Sequence, residues 1–197
     1  GDVGGFLNTK MKKLEINPQK VAKLEVNWWK AHHYGDKKSL VVNLLKHNQT
    51  LYGINIFQAL ILVRTLVPAA KAHNQRDKVS ALKHMTEYYE RVKHYLGSEM
   101  IPAKVAEAEV ESWWVHDNSE KSSDKSALVK SFQRLYSNLL VLDENHVKKL
   151  AEMKTIANTN HDKAESTKDK TVEAQYWEIT EDSLVEFYDE LNLVMKK

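Results

Sequence analysis

The stretch KVAKLEVNWWKAHH, residues 20–33, returns 84 residues later as KVAEAEVESWWVHD, residues 104–117. Aligned without gaps, residues 20–52 and 104–136 are identical at 14 of 33 positions. Each copy therefore carries the pattern E-x-x-x-W-x-x-H. This repetition predicts an internal duplication in which each copy lies near the start of one structural unit. The repeated glutamate, tryptophan and histidine form three pairs: Glu25/Glu109, Trp29/Trp113 and His32/His116.

The repeat divides the chain into two units. We expect a flexible N-terminal lead-in over residues 1–16, a first helical unit over residues 17–99 and a second over residues 100–197. Beyond residue 52 the likeness weakens and requires a four-residue insertion, so the duplication depends on the first two helices of each unit. Known solenoid repeats are shorter than this one, so we expect the two units to pack as one compact domain around a pseudo-twofold axis.

The composition favours long helices over strands. Only six Gly and three Pro occur among 197 residues, whereas Leu, Lys, Glu and Ala are plentiful. Asn17-Pro18 and Pro102 are helix-start signals at equivalent places in the two units. The predicted fold is therefore all-α, a bundle of roughly eight helices built from two duplicated four-helix units.

Four further expectations concern individual helices. The third helix, which opens at Asn55, should be the most buried because apolar residues cover much of its circumference. Pro68 should kink or break that helix near Thr65. Residues 158–170 are polar and are predicted to form the one clear loop, and Thr180 is a candidate break in the last helix.

Charge and composition argue against several classes of partner. The 29 basic and 27 acidic residues are interspersed and leave a net charge of +2, so no strong field attracts nucleic acid or an anionic membrane. No apolar run approaches the roughly 18 residues that span a bilayer. Without cysteine, the chain has no disulfide and no thiolate metal ligand. We expect a soluble cytoplasmic protein or, if a signal peptide was removed ahead of Gly1, an exported one.

Helical geometry places the repeated residues on one face. Glu25, Trp29 and His32 lie within about 40° of one line beside the apolar stripe, and the second copy repeats this line. Residues seven apart are separated by about 10.5 Å along the axis, so one copy alone cannot bind a metal. If the two motif helices cross antiparallel, Glu25 approaches His116 and Glu109 approaches His32.

Such a crossing places a small-ligand pocket at the interface of the two units, walled by tryptophans. The alternative is that the same residues are packing contacts, with the indole nitrogens bonded to the carboxylates. The predicted ligand-binding residues are Glu25, Trp28, Trp29, His32, Glu109, Trp113, Trp114 and His116.

Two functions fit this pattern. The preferred one is a non-enzymatic helical protein without a cofactor that binds a small ligand or a protein partner, with homo-oligomer formation left open. The alternative is a ferritin-like bundle, a di-metal oxidoreductase that holds a divalent metal such as Fe or Zn. The Glu-x-x-His motif of ferritin-like carboxylate bundles is missing, as are phosphate-loop, hydrolase and zinc-protease motifs. The metal ligands in the alternative are Glu25, His32, Glu90, Glu109, His116 and Glu178.

Overall fold

The protein is all-helical, as the sequence predicts. A computed structural model describes residues 15–196, so residues 1–14 of the predicted lead-in and Lys197 lie outside the described range. Within that range there are eight α-helices and no strand, and a 3-10 turn at Glu144–Val147 precedes the seventh helix. The helices are α1 Pro18–His33, α2 Lys37–Tyr52, α3 Ile56–Asn74, α4 Lys78–Leu96, α5 Pro102–Ser119, α6 Ser126–Leu140, α7 Lys148–Ser166 and α8 Lys170–Val194.

Local signals set several helix ends. The Asn17 side chain accepts a hydrogen bond from the Lys20 amide, and Pro18 occupies the first helical position, where a missing N–H costs nothing. Gly53 and Gly97 end α2 and α4 in the left-handed conformation, with φ of 59° and 62°. Glycine adopts this conformation without a Cβ clash, so both helices stop where the sequence predicts.

The eight helices form a closed ring. Each helix packs against the next one along the chain, and α8 packs against α1. Asn192 of α8 ties this closure: its side chain accepts a hydrogen bond from the Ile16 amide at 3.2 Å and donates to the Ile16 carbonyl at 2.8 Å. The motif helices α1 and α5 are four places apart in the ring and therefore lie on opposite sides of it.

The contacts between neighbouring helices are filled by apolar side chains that join into one hydrophobic core. Close packing of this kind stabilises a helical bundle because each buried side chain removes apolar surface from water. Fully buried examples from six of the helices are Val21, Leu62, Met85, Val105, Leu128 and Leu150.

The expectation that α3 is the most buried helix is wrong. Its outer face exposes Phe57, Leu60 and Ile61, with 75% of the Phe57 surface accessible. The axis turns by 117° between α2 and α3. No single helix within residues 15–196 has the length and apolar character needed to cross a membrane; α2 and α3 meet the criterion only as a pair, with this bend between them.

Pro68 does not break α3 near Thr65, since the helix is continuous from Ile56 to Asn74. Pro68 removes the amide that would bond to the carbonyl of Arg64. Because Arg64 is on the exposed side of α3, water can take the place of that bond.

The predicted loop over residues 158–170 is mostly helix. α7 continues to Ser166 and α8 begins at Lys170, so only residues 167–169 connect them. Most residues of this stretch are polar, and its buried stripe is narrow. The stripe includes Ala157 and Ala164, both without accessible surface. The candidate break at Thr180 is absent too, because its hydroxyl donates to the Tyr176 carbonyl at 2.7 Å within an unbroken α8.

Candidate functional site

A cavity of about 700 Å³ occupies the centre of the ring. All eight helices contribute side chains to its wall. Buried Ile16, Ser98 and Met100 line one end of the cavity. At the other end the lining residues His32 and Lys71, near the C-terminal ends of α1 and α3, are exposed to solvent, so the cavity opens there.

The repeated motif lines this cavity. Of the eight predicted ligand-binding residues, seven are in its wall. Trp114 is the exception: it lies about 100° around α5 from Trp113 and packs against His73, with ring centroids 4.3 Å apart. Because α1 and α5 are on opposite sides of the ring, the two copies face each other across the cavity. Five pairs of identical residues line it: Glu25/Glu109, Trp29/Trp113, His32/His116, Leu51/Leu135 and Tyr52/Tyr136.

The predicted pairing of each glutamate with the histidine of the other copy does not occur. His116 Nε2 instead lies 3.0 Å from Asp162 Oδ1, and His32 is exposed at the open end. Glu25 bonds to Lys154 of α7 and Tyr188 of α8, and Glu109 bonds to Tyr89 of α4 and Trp113 of its own helix. The cavity that separates α1 from α5 explains this difference, since the prediction assumed that the two helices cross.

A polar cluster surrounds Glu25 on one side of the cavity. Lys154 Nζ, from α7, lies 2.5 Å from Glu25 Oε1, and the Tyr188 hydroxyl, from α8, donates to Glu25 Oε2 at 2.5 Å. His47 Nε2, from α2, lies 3.1 Å from the Tyr188 hydroxyl and 3.8 Å from Glu25 Oε2. We name Glu25, Lys154, Tyr188 and His47 the Glu25 cluster.

The charges of the Glu25 cluster balance. Burial alone would raise the pKa of Glu25, but the charge and hydrogen bond of Lys154 hold that pKa below its usual value. Burial lowers the pKa of His47 to about 4, so this imidazole is neutral at pH 7. The Lys154 ammonium also lies 5.1 Å from the ring centroids of Trp29 and Phe187, where the aromatic faces attract a cation.

Glu109, across the cavity, has different partners. The Tyr89 hydroxyl donates to Oε2 at 3.1 Å, and the Trp113 indole nitrogen donates to Oε1 at 2.9 Å. Both donors are neutral, and burial raises the pKa of Glu109. The Trp113 bond agrees with the packing alternative for the motif. The indole is neutral, so this bond does not neutralise the charge of Glu109, whereas Lys154 neutralises that of Glu25.

Pairs of histidine and carboxylate side chains surround the open end of the cavity. Burial disfavours the charged form of His161, yet its hydrogen bonds to Asp162 and Glu165 raise its pKa to about 9. The protonated ring lies between two indoles, 4.5 Å from the Trp29 centroid and 5.5 Å from that of Trp177. The closest pairs are His161 Nε2–Glu165 and His116 Nε2–Asp162 at 3.0 Å, and His73 Nε2–Asp117 at 3.2 Å.

Two polar atoms of the cavity-lining residues are buried and make no hydrogen bond to any described residue. They are the indole Nε1 of Trp28 and the Nδ1 atom of His73. Buried polar atoms normally have a partner, so these two are available to bond to a bound molecule or to ordered water.

Sequence reasoning missed the residues on other helices that partner the two glutamates. Lys154 lies on the inward stripe of α7 with Leu150 and His161, at helical spacing, and Tyr188 lies on that of α8 with Leu184. A lysine at helical spacing from Leu150 was the available signal, because an ammonium on the inward face of a helix needs a buried anion.

The structure does not bring the six residues of the metal-binding alternative together. Glu90 and Glu178 are exposed on the outer surface, away from the cavity. Over residues 15–196, no group of three or more His, Cys, Asp or Glu side chains is placed to hold a metal ion.

The fold and the site define an all-α protein whose eight helices enclose a cavity lined by a doubled sequence motif. No protein-family model matches the chain, and comparisons with curated proteins and with solved structures give no significant match. The cavity itself is therefore the feature that indicates a function.

Proposed function

We propose that this protein binds a small, largely apolar organic molecule in the cavity at the centre of the ring. The observation that carries this proposal is the cavity of about 700 Å³, which is open at one end and within the usual size range of small-molecule sites. Most of its wall is aliphatic or aromatic, and a few polar groups converge on it.

The energetics of packing support an occupant. Protein interiors contain few voids larger than a water molecule, and an empty apolar cavity lowers stability in proportion to its volume. Larger side chains at the centre of the ring would fill this space and remove that cost. A bound molecule that supplies the missing contacts offsets the cost of the open space.

The sequence repeat gives further support. We propose that two four-helix units, related by a pseudo-twofold axis, enclose the site between them, with α1 and α5 in equivalent positions. Glu25 and Glu109 each accept a hydrogen bond from a tyrosine on the preceding helix in the ring, Tyr188 on α8 and Tyr89 on α4. The identical residues of the two copies then include those that contact the ligand.

A titration with an apolar fluorescent probe tests the proposal. We expect N-phenyl-1-naphthylamine to bind saturably, with one site per chain. Leu135→Trp places a large side chain in the cavity wall, and Ala70→Trp narrows the open end from an exposed position. Each should weaken binding at least tenfold. Val79→Trp is the matched control, because Val79 is 81% exposed on α4 and lies outside the cavity.

Melting curves identify any variant that fails to fold, and Ala70→Trp supports the test if Leu135→Trp is unstable. The proposal is overturned if the probe does not saturate, or if Ala70→Trp and folded Leu135→Trp bind it as well as Val79→Trp does.

A further inference from the structure

The two glutamates that line the cavity differ in their charge balance. Glu25 is neutralised by Lys154, whose Nζ lies 2.5 Å away. Glu109 has only the neutral donors Tyr89 and Trp113. Within residues 15–196 no Lys, Arg or His forms an ion pair with Glu109. Glu109 is therefore the cavity-lining glutamate without a paired cation; the charge of Lys154 lowers its pKa from a distance, but that ammonium is bonded to Glu25.

The surroundings of Glu109 are aromatic. The ring of Tyr88 lies 5.1 Å from that of Tyr89, which donates to Glu109, and 6.5 Å from that of Tyr52. The negative charge of Glu109 also contributes to the raised pKa values of Tyr52, Tyr88 and Tyr136. All three line the cavity, as do Tyr89 and Trp113. Aromatic faces attract organic cations through their quadrupoles, and such rings beside a carboxylate form a recurring site for ammonium groups.

The Glu25 cluster contains the same arrangement with its cation in place. The ammonium of Lys154 pairs with a buried carboxylate and lies 5.1 Å from the centroids of both Trp29 and Phe187. Glu109 has the carboxylate and the aromatic rings, but no lysine occupies the corresponding place. A buried carboxylate without a partner is unfavourable, so a cation that reaches Glu109 gains both the ion pair and the aromatic contacts.

We propose that the ligand is an organic amine, protonated or quaternary, whose cationic nitrogen binds Glu109 while its apolar part contacts the remaining cavity wall. This inference rests on the proposed function of the cavity and adds the chemical class of its ligand. The amine can enter through the open end of the cavity, near His32 and Asp117.

Calorimetric titration with three molecules of equal chain length tests the inference: decylamine, decanol and decanoate, each below its aggregation concentration. We expect decylamine to bind at least tenfold more tightly than decanol, and decanoate more weakly than either. Glu109→Gln, which keeps the size of the side chain, should reduce decylamine affinity to that of decanol and leave decanol affinity unchanged. Glu107→Gln is the control, because Glu107 is exposed on the same helix.

Glu109→Asp provides a second variant in case Glu109→Gln does not fold. It keeps the charge, so it should retain part of the preference for the amine. Equal binding of decylamine and decanol by the wild-type protein would overturn the inference and leave the cavity function intact. Tightest binding of decanoate would also overturn it, and would indicate that Lys154 leaves Glu25 to meet an anion. Failure of all three molecules to bind would overturn the proposed function as well.

Discussion

Lys154 Nζ lies 2.5 Å from Glu25 Oε1 inside the ring and joins α7 to α1, two helices that α8 separates. Tyr188 of α8 donates to the same carboxylate. The buried Glu25 of α1 therefore links three consecutive helices of the ring, α7, α8 and α1, where the last helix packs against the first. The closure of the ring depends on a polar contact as well as on apolar packing.

Breaking this ion pair should destabilise the fold strongly. In Glu25→Gln the Lys154 ammonium stays buried without an anion, and the free energy of unfolding should fall by about 3–5 kcal/mol. Lys154→Met should have a similar effect, because Glu25 is then left without its cation. Unfolding in urea measures both changes.

The double variant Glu25→Gln/Lys154→Met measures the coupling free energy between the two side chains. It should be more stable than the sum of the single changes predicts, because no unpaired charge remains. Lys149→Met is the control: Lys149 pairs with Glu190 on the outer surface and is 64% exposed, so its loss should cost about 0–1 kcal/mol. Additive effects of the two interior changes would show that the pair contributes no coupling.

Trp29 should be one of the most stabilising side chains. Only 6% of its surface is accessible, and it contacts both the Lys154 ammonium and the His161 ring. Trp29→Ala should lower the free energy of unfolding by about 3–5 kcal/mol, the range found for deletion of a core aromatic side chain. Val79→Ala, at an exposed position of α4, should change the free energy of unfolding by less than about 0.5 kcal/mol. Equal melting temperatures of the two variants would contradict the placement of Trp29.

The parts of the fold that depend on short sequence intervals could be predicted. Asn17, Gly53 and Gly97 mark helix ends because a cap is a local contact. The closed ring could not be predicted, because the packing of α8 on α1 joins residues such as Ile16 and Asn192 that are 176 positions apart. The C-terminal half of α7 was missed because its buried stripe is narrow and its other residues are polar.

The candidate site was predicted in part for the same reason. The repeat identified Glu25 and Glu109 on helix faces that line the cavity, because helical spacing is enough to place residues of one motif together. Their partners Lys154 and Tyr188 come from other helices. The order of helices in the ring selects those partners, and a wrong assumption about how α1 meets α5 led to the wrong pairing with His116.

His161 should make stability fall at alkaline pH. Its pKa is raised from 6.5 to about 9 in the folded chain, so its contribution is complete below about pH 6.5 and is lost as the pH rises through 9. His161→Gln should reduce the free energy of unfolding by about 1–3 kcal/mol at pH 6, and the difference from wild type should narrow by pH 10. His146→Gln, at an exposed position, should follow the wild-type pH profile. A difference for His161→Gln that stays constant from pH 6 to 10 would contradict this assignment.

Val141 should be replaceable by glycine with a gain in stability. It ends α6 with φ of 57° and is 55% exposed, so it has a left-handed backbone without a packing contribution that requires valine. A β-branched residue is strained by about 1–2 kcal/mol in this conformation, whereas glycine is not. Glycine also increases the entropy of the unfolded chain, which offsets part of the gain. Val141→Gly should therefore raise the free energy of unfolding by about 0.5–1 kcal/mol in urea. Val42→Gly, at an exposed position inside α2, should lower it by about 0.3–0.5 kcal/mol, since there the main effect of glycine is a lower helix propensity than that of valine. Equal losses in the two variants would show that the backbone at Val141 is not strained.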